Sequence, residues 1–428
     1  MNQVVVIPYP TIGHTTHLLN LCNKLSSFSC QKNTVYTIVI TEHCHTLIRS
    51  NPAPENIQLF TIPNGTSLHR PDTVAFYIAA QNALQNDQFV QLLDSVDDQL
   101  PVKYVIADVM MRSAFEVANK RKIPVAAFWS MSPPMFTFVY YADTLHHFVY
   151  KPGSKEIVDH IPVISPISLA DLPWTHQIFH EVAPHLKSLS EIAQSLLLST
   201  IYELEPDAID VNIAKVTIPL YVIGPNIPDF HLQRNMPSDE SSYVSWLDSK
   251  PQRSVLYVSL GIGLKQSGVN FLWAARGGKS SQLSGDCGSN GLVVDWCDQW
   301  RVLSHSSVRG FLSHCGWNST KESLFLGVPM LTFPITGDQL LNKKLIFEDW
   351  ENGWRLKNGS SIVKREAIAV VVRWFMDLES ELMKKLMGNA KCLEGICRES
   401  VEEGGRANKE IDCFIRESDT NWDQIANS

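Results

Sequence analysis

The sequence lacks the features that mark nucleic-acid-binding, membrane-spanning and secreted proteins. Its 36 Lys and Arg residues are outnumbered by 44 Asp and Glu residues, and a net charge of −8 without a basic stripe argues against a nucleic-acid partner. No stretch approaches the roughly 20 apolar residues of a membrane span. Residues 1–8 contain no basic region before their short apolar run. We therefore expect a cytoplasmic protein without stable membrane insertion.

Paired cysteines are lacking as well. The nine cysteines are an odd number, are scattered along the chain and form no CxxC pair, so free thiols are the simplest account. The remaining composition is ordinary, with 44% hydrophobic and 19% charged residues, which argues against a disordered or fibrous chain. At 428 residues, the chain is long enough for two or three domains with substantial cores.

Short β-rich runs alternate with helical patterns, which is typical of parallel βαβ construction. The sequence predicts strands at residues 4–7, 35–40, 58–62, 104–107, 125–129 and 219–223, and a second series at 254–258, 270–274, 292–294, 310–313 and 330–333. The predicted domains are residues 1–235, a linker at 236–253, residues 254–410, and a tail at 411–428 that packs back on the first domain. In such doubly wound halves, ligands bind at the carboxyl ends of the strands.

The most informative segment is residues 296–339, which has the run HCGWNST (314–320) at its centre. A predicted strand enters a glycine turn and then a helix, and the first N–H groups of a helix bind phosphate. The segment ends on Asp338 and Gln339, whose side chains suit sugar hydroxyls. These features together indicate a nucleotide-sugar site. The alternative is a capping box formed by Ser319 and Glu322, in which Glu322 only caps the helix.

Two polar residues of the first half follow predicted strands. His14 lies past the first strand and just before the predicted first helix, with Thr15 or Thr16 as its N-cap, so it is a candidate general base. It could equally be an ordinary loop histidine, or one member of a metal-binding pair with His17. Asp108 ends another strand and is a candidate to orient the imidazole. The alternative for Asp108 is an N-cap of the following helix.

Together these segments resemble the plant secondary-product UDP-glycosyltransferases, which are family-1 enzymes of the GT-B fold. The likeness is carried by residues 296–339 and extends to residues 8–14, 106–108 and 254–261. It implies an α/β architecture in which two Rossmann-like doubly wound domains face each other across a cleft. We expect a monomer that binds a UDP-sugar and a small-molecule acceptor.

The resemblance also implies a role for each site residue. His14 would deprotonate an acceptor hydroxyl and Asp108 would orient it, so that the protein would be an inverting, UDP-glucose-dependent enzyme acting on a small lipophilic alcohol, phenol or carboxylic acid. Trp296 and the Cys297 backbone would bind uracil, and Gln299 and Glu322 would bind the ribose. The diphosphate would be bound beside the turn at Gly316, by His314, Asn318 and Ser319. The residues at the sugar would be Trp317, Asp338, Gln339 and Ser130. No metal or other cofactor is implied, because the helix dipole and a histidine offset the charge of the leaving diphosphate.

The chain departs from the family pattern at three places. Asp295 stands where a proline is usual, and Thr336 and Gly337 stand where an aromatic residue is common. Only nine residues, 261–269, separate the first two strands of the second half, whereas a parallel crossover needs about a dozen or more. We therefore expect these strands to rearrange or the domain to be strained locally. A catalytically impaired UDP-sugar-binding relative, truncated after Gly261, is the alternative hypothesis, and a nucleotide-sugar epimerase is the third.

Overall fold

The structure of the protein is a computed structural model. It describes residues 2–48, 54–63, 74–85, 90–94, 96, 100–145, 156–168, 176–227, 242–259, 264–275, 280–284, 288–356, 364–420 and 422. Part of the predicted linker (236–241), the end of the predicted tail (423–428) and residues 261–263 after the first strand of the second half lie outside this set. No helix among the described residues is long and apolar enough to cross a membrane.

The first half of the chain alternates strands and helices. Its strands are β1 (Asn2–Ile7), β2 (Thr34–Thr41), β3 (Ile57–Ile62), β4 (Val102–Asp108), β5 (Val125–Trp129), β6 (Ile157–Val158), β7 (Ile167–Ser168), β8 (Ser195–Leu198) and β9 (Leu220–Val222). Its helices are α1 (Ile12–Ser27), α2 (Glu42–Leu47), α3 (Val74–Gln85), α4 (Arg112–Lys120), α5 (Pro133–Tyr140), α6 (His176–Lys187), α7 (Leu189–Ile192) and α8 (Pro206–Ile213).

The second half repeats this alternation. Its strands are β10 (Val255–Val258), β11 (Asn270–Ala274), β12 (Gly291–Val294), β13 (Val308–Ser313), β14 (Met330–Thr332) and β15 (Gly353–Arg355). Its helices are α9 (Ser242–Asp248), α10 (Ser280–Ser284), α11 (Gln299–Leu303), α12 (Trp317–Phe325), α13 (Gln339–Lys344), α14 (Arg365–Phe375), α15 (Glu381–Val401) and α16 (Arg406–Thr420).

Two separate parallel sheets result. The first has the order β3-β2-β1-β4-β5-β8-β9 and the second β12-β11-β10-β13-β14-β15, while β6 and β7 form a small antiparallel pair. Along β1, Val5 and Ile7 pack in one core cluster and Val4 and Val6 in another, so both faces of the first sheet are covered. This burial on two sides explains why central strands such as β1 and β5 are continuous apolar runs rather than alternating ones.

Every predicted strand of these sheets is present, with ends that shift by a few residues. The sequence does not predict β8 or β15. The apolar run of β8 follows a helical pattern directly, and β15 is only three residues long, so neither carries a clear strand pattern.

The short crossover between β10 and β11 does not alter the order of the second sheet. The two strands pair in parallel, with Val255 opposite Asn270, so the prediction that they rearrange is wrong. In the part of the connection that the structure describes, residues 264–269, there is a 3₁₀ turn, Lys265–Ser267. It is held because Leu264 is buried in the core and because Arg373 of α14 donates a hydrogen bond to the carbonyl of Gln266 at 2.9 Å.

The C-terminal helix α16 returns to the first sheet. Ile411, Phe414 and Ile415 share a core cluster with residues of β1, β2 and β4. The ring of Trp422 packs edge-on against that of Tyr104, with centroids 5.0 Å apart. These contacts tie the end of the chain to the half in which it begins.

Candidate active site

The first helix presents His14 to the cleft. Helix α1 begins at Ile12, with Thr11 as its N-cap, so His14 is its third residue. The prediction that the helix starts after His14, at a cap formed by Thr15 or Thr16, is therefore wrong. A place in the first helical turn fixes the imidazole on a rigid element, which a loop would not do.

Asp108, at the end of β4, contacts this histidine. Its Oδ2 lies 2.7 Å from Nδ1 of His14, and its Oδ1 accepts a hydrogen bond from the backbone N–H of Met110 at 2.9 Å. The side chain of Asp108 is 1% exposed and that of His14 is 20% exposed. Helix α4 has Met111 as its N-cap, with no side-chain cap, so the N-cap alternative for Asp108 is wrong.

The contact with Asp108 determines the protonation of His14. A carboxylate only accepts hydrogen bonds, so Nδ1 carries the proton and Nε2 keeps its lone pair. Burial alone would lower the pKa of His14, but the charge and hydrogen bond of Asp108, with a further contribution from Asp338, raise it above its ordinary value. The arrangement is that of an oriented base with a free acceptor nitrogen.

Ser130 follows β5 and joins the same group. Its Oγ lies 2.9 Å from Nδ1 of His14, and the residue is buried. Since Nδ1 already donates to Asp108, Ser130 shares that proton as a second acceptor. The structure therefore brings Ser130 to the histidine, at the position where the resemblance implies a residue close to the sugar.

The neighbouring histidine, His17, has a different environment. Its Nε2 contacts Nζ of Lys321 in the second half. The two histidines thus have separate polar partners rather than a common one. Among the described residues, no group of three or more His, Cys, Asp or Glu side chains is arranged to hold a metal ion.

On the opposite side of the cleft, helix α12 begins immediately after a tight turn. Cys315 has a positive φ of 66°, and Gly316 is the N-cap with no side-chain cap. A Cβ atom on Gly316 would lie 2.5 Å from Nε2 of His314, so the glycine lets the imidazole fold over the start of the helix. Ser319 is inside the helix rather than at its cap, so the capping-box alternative is wrong.

The residues assigned to the ribose lie together beside this helix. Nε2 of Gln299 donates to Glu322 Oε2 at 2.8 Å and to Ser319 Oγ at 3.0 Å. Nearby, Trp296 exposes 47% of its surface whereas Cys297 is buried. A carboxylate fixed by an amide, next to an exposed indole face, is suited to a nucleoside.

Asp338 and Gln339 have different local partners. Burial raises the pKa of Asp338 to about 6, and Nδ2 of Asn342 donates to its Oδ2 at 2.7 Å. Oε1 of Gln339 accepts the backbone N–H groups of Ile335 and Thr336 at 2.8 and 3.1 Å. The side-chain carbonyl of Gln339 thus binds the backbone of its own loop, and its side-chain NH₂ group is the part that can donate to a ligand.

Two further residues of the predicted set contact the first half of the chain. The indole N–H of Trp317 donates to the carbonyl of Ser199 at 3.0 Å, and Nδ2 of Asn318 donates to the carbonyl of Gly13 at 3.0 Å. Ser199 follows β8 and Gly13 follows β1, so the carboxyl ends of the two sheets meet at the start of α12.

Sequence reasoning missed Asn342 and Lys321. Asn342 bridges the site, because its Nδ2 also donates to the carbonyl of Cys315 at 2.9 Å. Its spacing of four residues from Asp338 along a helix is the signal that would have identified it. Lys321 lies in the polar run NSTKES of α12, and nothing in that run distinguishes it from an exposed lysine.

Comparisons with known proteins agree with this geometry. The family model described as UDP-glucoronosyl and UDP-glucosyl transferase matches residues 249–359. UDP-glycosyltransferase 87A2 of Arabidopsis thaliana is 39% identical, over 97% of this chain and 96% of its own. Crocetin glucosyltransferase 2 of Crocus sativus is 30% identical, over 97% of this chain and 96% of its own.

Solved structures show the same fold. UGT2 of Phytolacca americana, complexed with UDP-2fluoro-glucose and pterostilbene, has a TM-score of 0.80 at 25% identity, over 98% of this chain and 100% of that one. Os79 of O. sativa, in complex with U2F and trichothecene, has a TM-score of 0.83 at 25% identity, over 97% of this chain and 100% of that one.

Two doubly wound sheets that meet at their carboxyl ends, as in the solved structures of similar chains, define a glycosyltransferase of the GT-B fold. The chain belongs to the plant secondary-product UDP-glycosyltransferases, the family-1 glycosyltransferases. Its relatives of known structure bind UDP-sugars and small acceptors.

Proposed function

We propose that the protein is an inverting, UDP-glucose-dependent glucosyltransferase acting on a small lipophilic alcohol, phenol or carboxylic acid. The observation that carries the proposal is the His14–Asp108 contact of 2.7 Å at the cleft, opposite the start of α12. It supports a general base on the acceptor side and a phosphate-binding helix end on the donor side.

In the proposed reaction, Nε2 of His14 takes the proton of the acceptor hydroxyl. The acceptor oxygen forms a bond to the anomeric carbon while the bond from that carbon to the β-phosphate oxygen breaks, and its electron pair leaves with UDP. Attack from the side opposite the leaving group inverts the anomeric configuration. Asp108 stabilises the imidazolium that forms, as a carboxylate does in a triad.

The donor residues support a metal-free reaction. The N-terminus of α12 carries partial positive charge and unpaired N–H groups, and His314 lies beside it. These groups offset the charge that develops on the diphosphate. The expected consequence is that a chelator such as EDTA leaves turnover unchanged, whereas a required divalent ion would make the enzyme lose activity in EDTA and regain it with Mg²⁺.

Glucose as the donor sugar rests on Gln339, the glutamine of the Asp-Gln pair that the resemblance associates with this sugar. The lipophilic acceptor rests on relatives, since the structures compared contain pterostilbene or trichothecene. Within this chain, the apolar side chains Met135, Phe136 and Phe138 of α5 are fully buried in the core. They are therefore core residues rather than an exposed acceptor surface.

The test is incubation with UDP-glucose and a mixed panel of phenols, alcohols and carboxylic acids, followed by mass spectrometry for a hexose increment. UDP-galactose and UDP-glucuronic acid in parallel reactions test the choice of sugar. UDP binding by calorimetry without transfer to any acceptor would favour the impaired relative. Conversion of UDP-glucose to another UDP-sugar without an acceptor would favour an epimerase.

His14→Ala tests the assigned base. We expect kcat to fall by about 10²- to 10⁴-fold, the range that general-base catalysis contributes, while UDP binding is retained. His45→Ala is the matched control, because His45 is an exposed histidine on α2, away from this contact. Unchanged turnover in His14→Ala, measured by product formation, would contradict the assignment.

A further inference from the structure

A buried lysine joins the two halves of the chain. Lys321 lies on α12 and is 5% exposed. Its Nζ contacts Nε2 of His17, and it donates to Oγ and the carbonyl oxygen of Ser199 at 2.6 and 3.2 Å. All three acceptors belong to the first half of the chain, and they match the three N–H donors of an ammonium group.

Helix α12 uses neighbouring faces for two tasks. Residues three positions apart lie on the same side of a helix. Asn318 and Lys321 both bond to the first half, through Gly13 and His17 respectively. Ser319 and Glu322, by contrast, are both joined to Gln299 on the donor side.

Helix α1 is divided in the same way. His14 faces Asp108 at the cleft, and His17 lies about 4.5 Å further along the helix axis, at 1.5 Å per residue. The contact between His17 and Lys321 is therefore about one turn from the candidate base on α1. It is also about one turn from the phosphate-binding end of α12. The contact between His17 and Lys321 therefore sets the distance between His14 and the start of α12, which must act on the same pair of substrates.

Lys321 and His17 are both buried where the two halves of the chain meet. Burial lowers the pKa of both Lys321 and His17, which reflects the cost of enclosing these groups. The carboxylates of Glu322 and Glu205 act against the lowering for Lys321, and the acceptors of the first half offset the remaining cost of burying its amine.

We propose that Lys321 is a positioning residue which, with His17 and Ser199, holds the two halves of the enzyme closed before the nucleotide binds. It brings the start of α12 and the histidine of α1 to their working separation without serving as the base or as a donor-binding group. This role of Lys321 does not depend on which residue is the base, because closure of the two halves is measured by scattering and not by turnover.

The test is small-angle X-ray scattering of the wild type and Lys321→Met, each with and without UDP. We expect the same radius of gyration for the wild type in both states. The variant should be larger without UDP and return towards the wild-type value when UDP is added. At saturating substrates, kcat of the variant should fall on the order of 10- to 100-fold, the scale of a misplaced reacting group.

Further variants separate positioning from folding. Lys385→Met removes an exposed lysine of the same half and should match the wild type. His17→Leu removes the acceptor and should behave like Lys321→Met, whereas His17→Gln keeps an acceptor and should recover the closed state and most of kcat. Thermal melts identify any variant that fails to fold.

Two outcomes would overturn the proposal. One is a Lys321→Met protein whose scattering without UDP equals that of the wild type. The other is equal loss in His17→Leu and His17→Gln, because that result assigns the effect to packing. If Lys321→Met does not fold, the pair of His17 variants decides.

Discussion

The proposed acceptor side of the cleft and the proposed donor side are distributed differently along the sequence. His14 and Asp108 are 94 residues apart and meet only because β1 and β4 are neighbours in the first sheet. On the donor side, Gln299 is 20 residues from Ser319 and 23 from Glu322, within the continuous segment α11-β13-α12. Local sequence therefore specifies most of the donor site, whereas the acceptor site depends on the order of strands in a sheet.

Asp108→Asn is expected to have the largest effect on kcat, and it alters the acceptor side alone. An amide can donate to Nδ1 of His14, so Nε2 would carry the proton in most molecules, and only the minor tautomer would still act as a base. We expect kcat to fall by about 10²- to 10⁴-fold, with UDP affinity unchanged. Steady-state kinetics and calorimetry measure the two quantities.

The same variant has a defined pH dependence. A base works when it is neutral, so kcat/KM rises as pH increases through the pKa of His14. Asp108 raises this pKa, and its removal should move the inflection of the residual activity to lower pH. Glu116→Gln, which removes a surface carboxylate of the same half, is the control. An inflection that stays in place would contradict the electrostatic role of Asp108.

Gly316→Ala tests the donor side and should have the second largest effect. The new Cβ would lie 2.5 Å from Nε2 of His314, so the imidazole must leave the start of α12. We expect UDP to bind on the order of 10-fold more weakly, the loss of about one charge-assisted contact. Calorimetry with UDP measures this effect.

The control for this glycine is Gly395→Ala in α15, where nothing lies within 4 Å of the added Cβ. It should leave UDP binding unchanged, because it only replaces a helical glycine. Equal UDP affinity in Gly316→Ala and the wild type would show that His314 does not depend on this glycine.

Asp338→Asn is expected to have the smallest effect of these variants, and it tests the electrostatic link between the two sides. Asp338 is on the donor side and contributes to the raised pKa of His14 after Asp108 does. Its removal should shift the inflection of kcat/KM to lower pH by less than Asp108→Asn does. A larger shift than that of Asp108→Asn, in the same pH titration, would reverse the assigned order of the two carboxylates.

Much of the fold follows from sequence patterns. Buried parallel strands are continuous apolar runs, so β1, β5 and β10 are recognisable without a structure. The short β15 carries no such pattern and is defined by its pairing with β14. The 3₁₀ turn Lys265–Ser267 before β11 could not be predicted either, because it depends on the burial of Leu264 and on a hydrogen bond from α14.

The candidate site was predictable to a similar degree. The glycine turn and the polar start of α12 are local features and are recognised directly. The exact start of α1 was not, because Thr15 and Thr16 are good capping residues and yet the helix begins before them. Whether Glu322 caps a helix or joins Gln299 is a choice between a local and a non-local partner, and the sequence supports both.

The sequence by itself determined most of the succession of strands and helices and the glycine turn that precedes α12. These depend on hydrogen bonds and periodicities that operate within about ten residues. Tertiary structure alone decided that Asp108 reaches His14, that Gln339 bonds its own loop, and that Lys321 is enclosed by acceptors of the other half. Such contacts join residues whose separation in space is set by how sheets and halves pack, which no local pattern encodes.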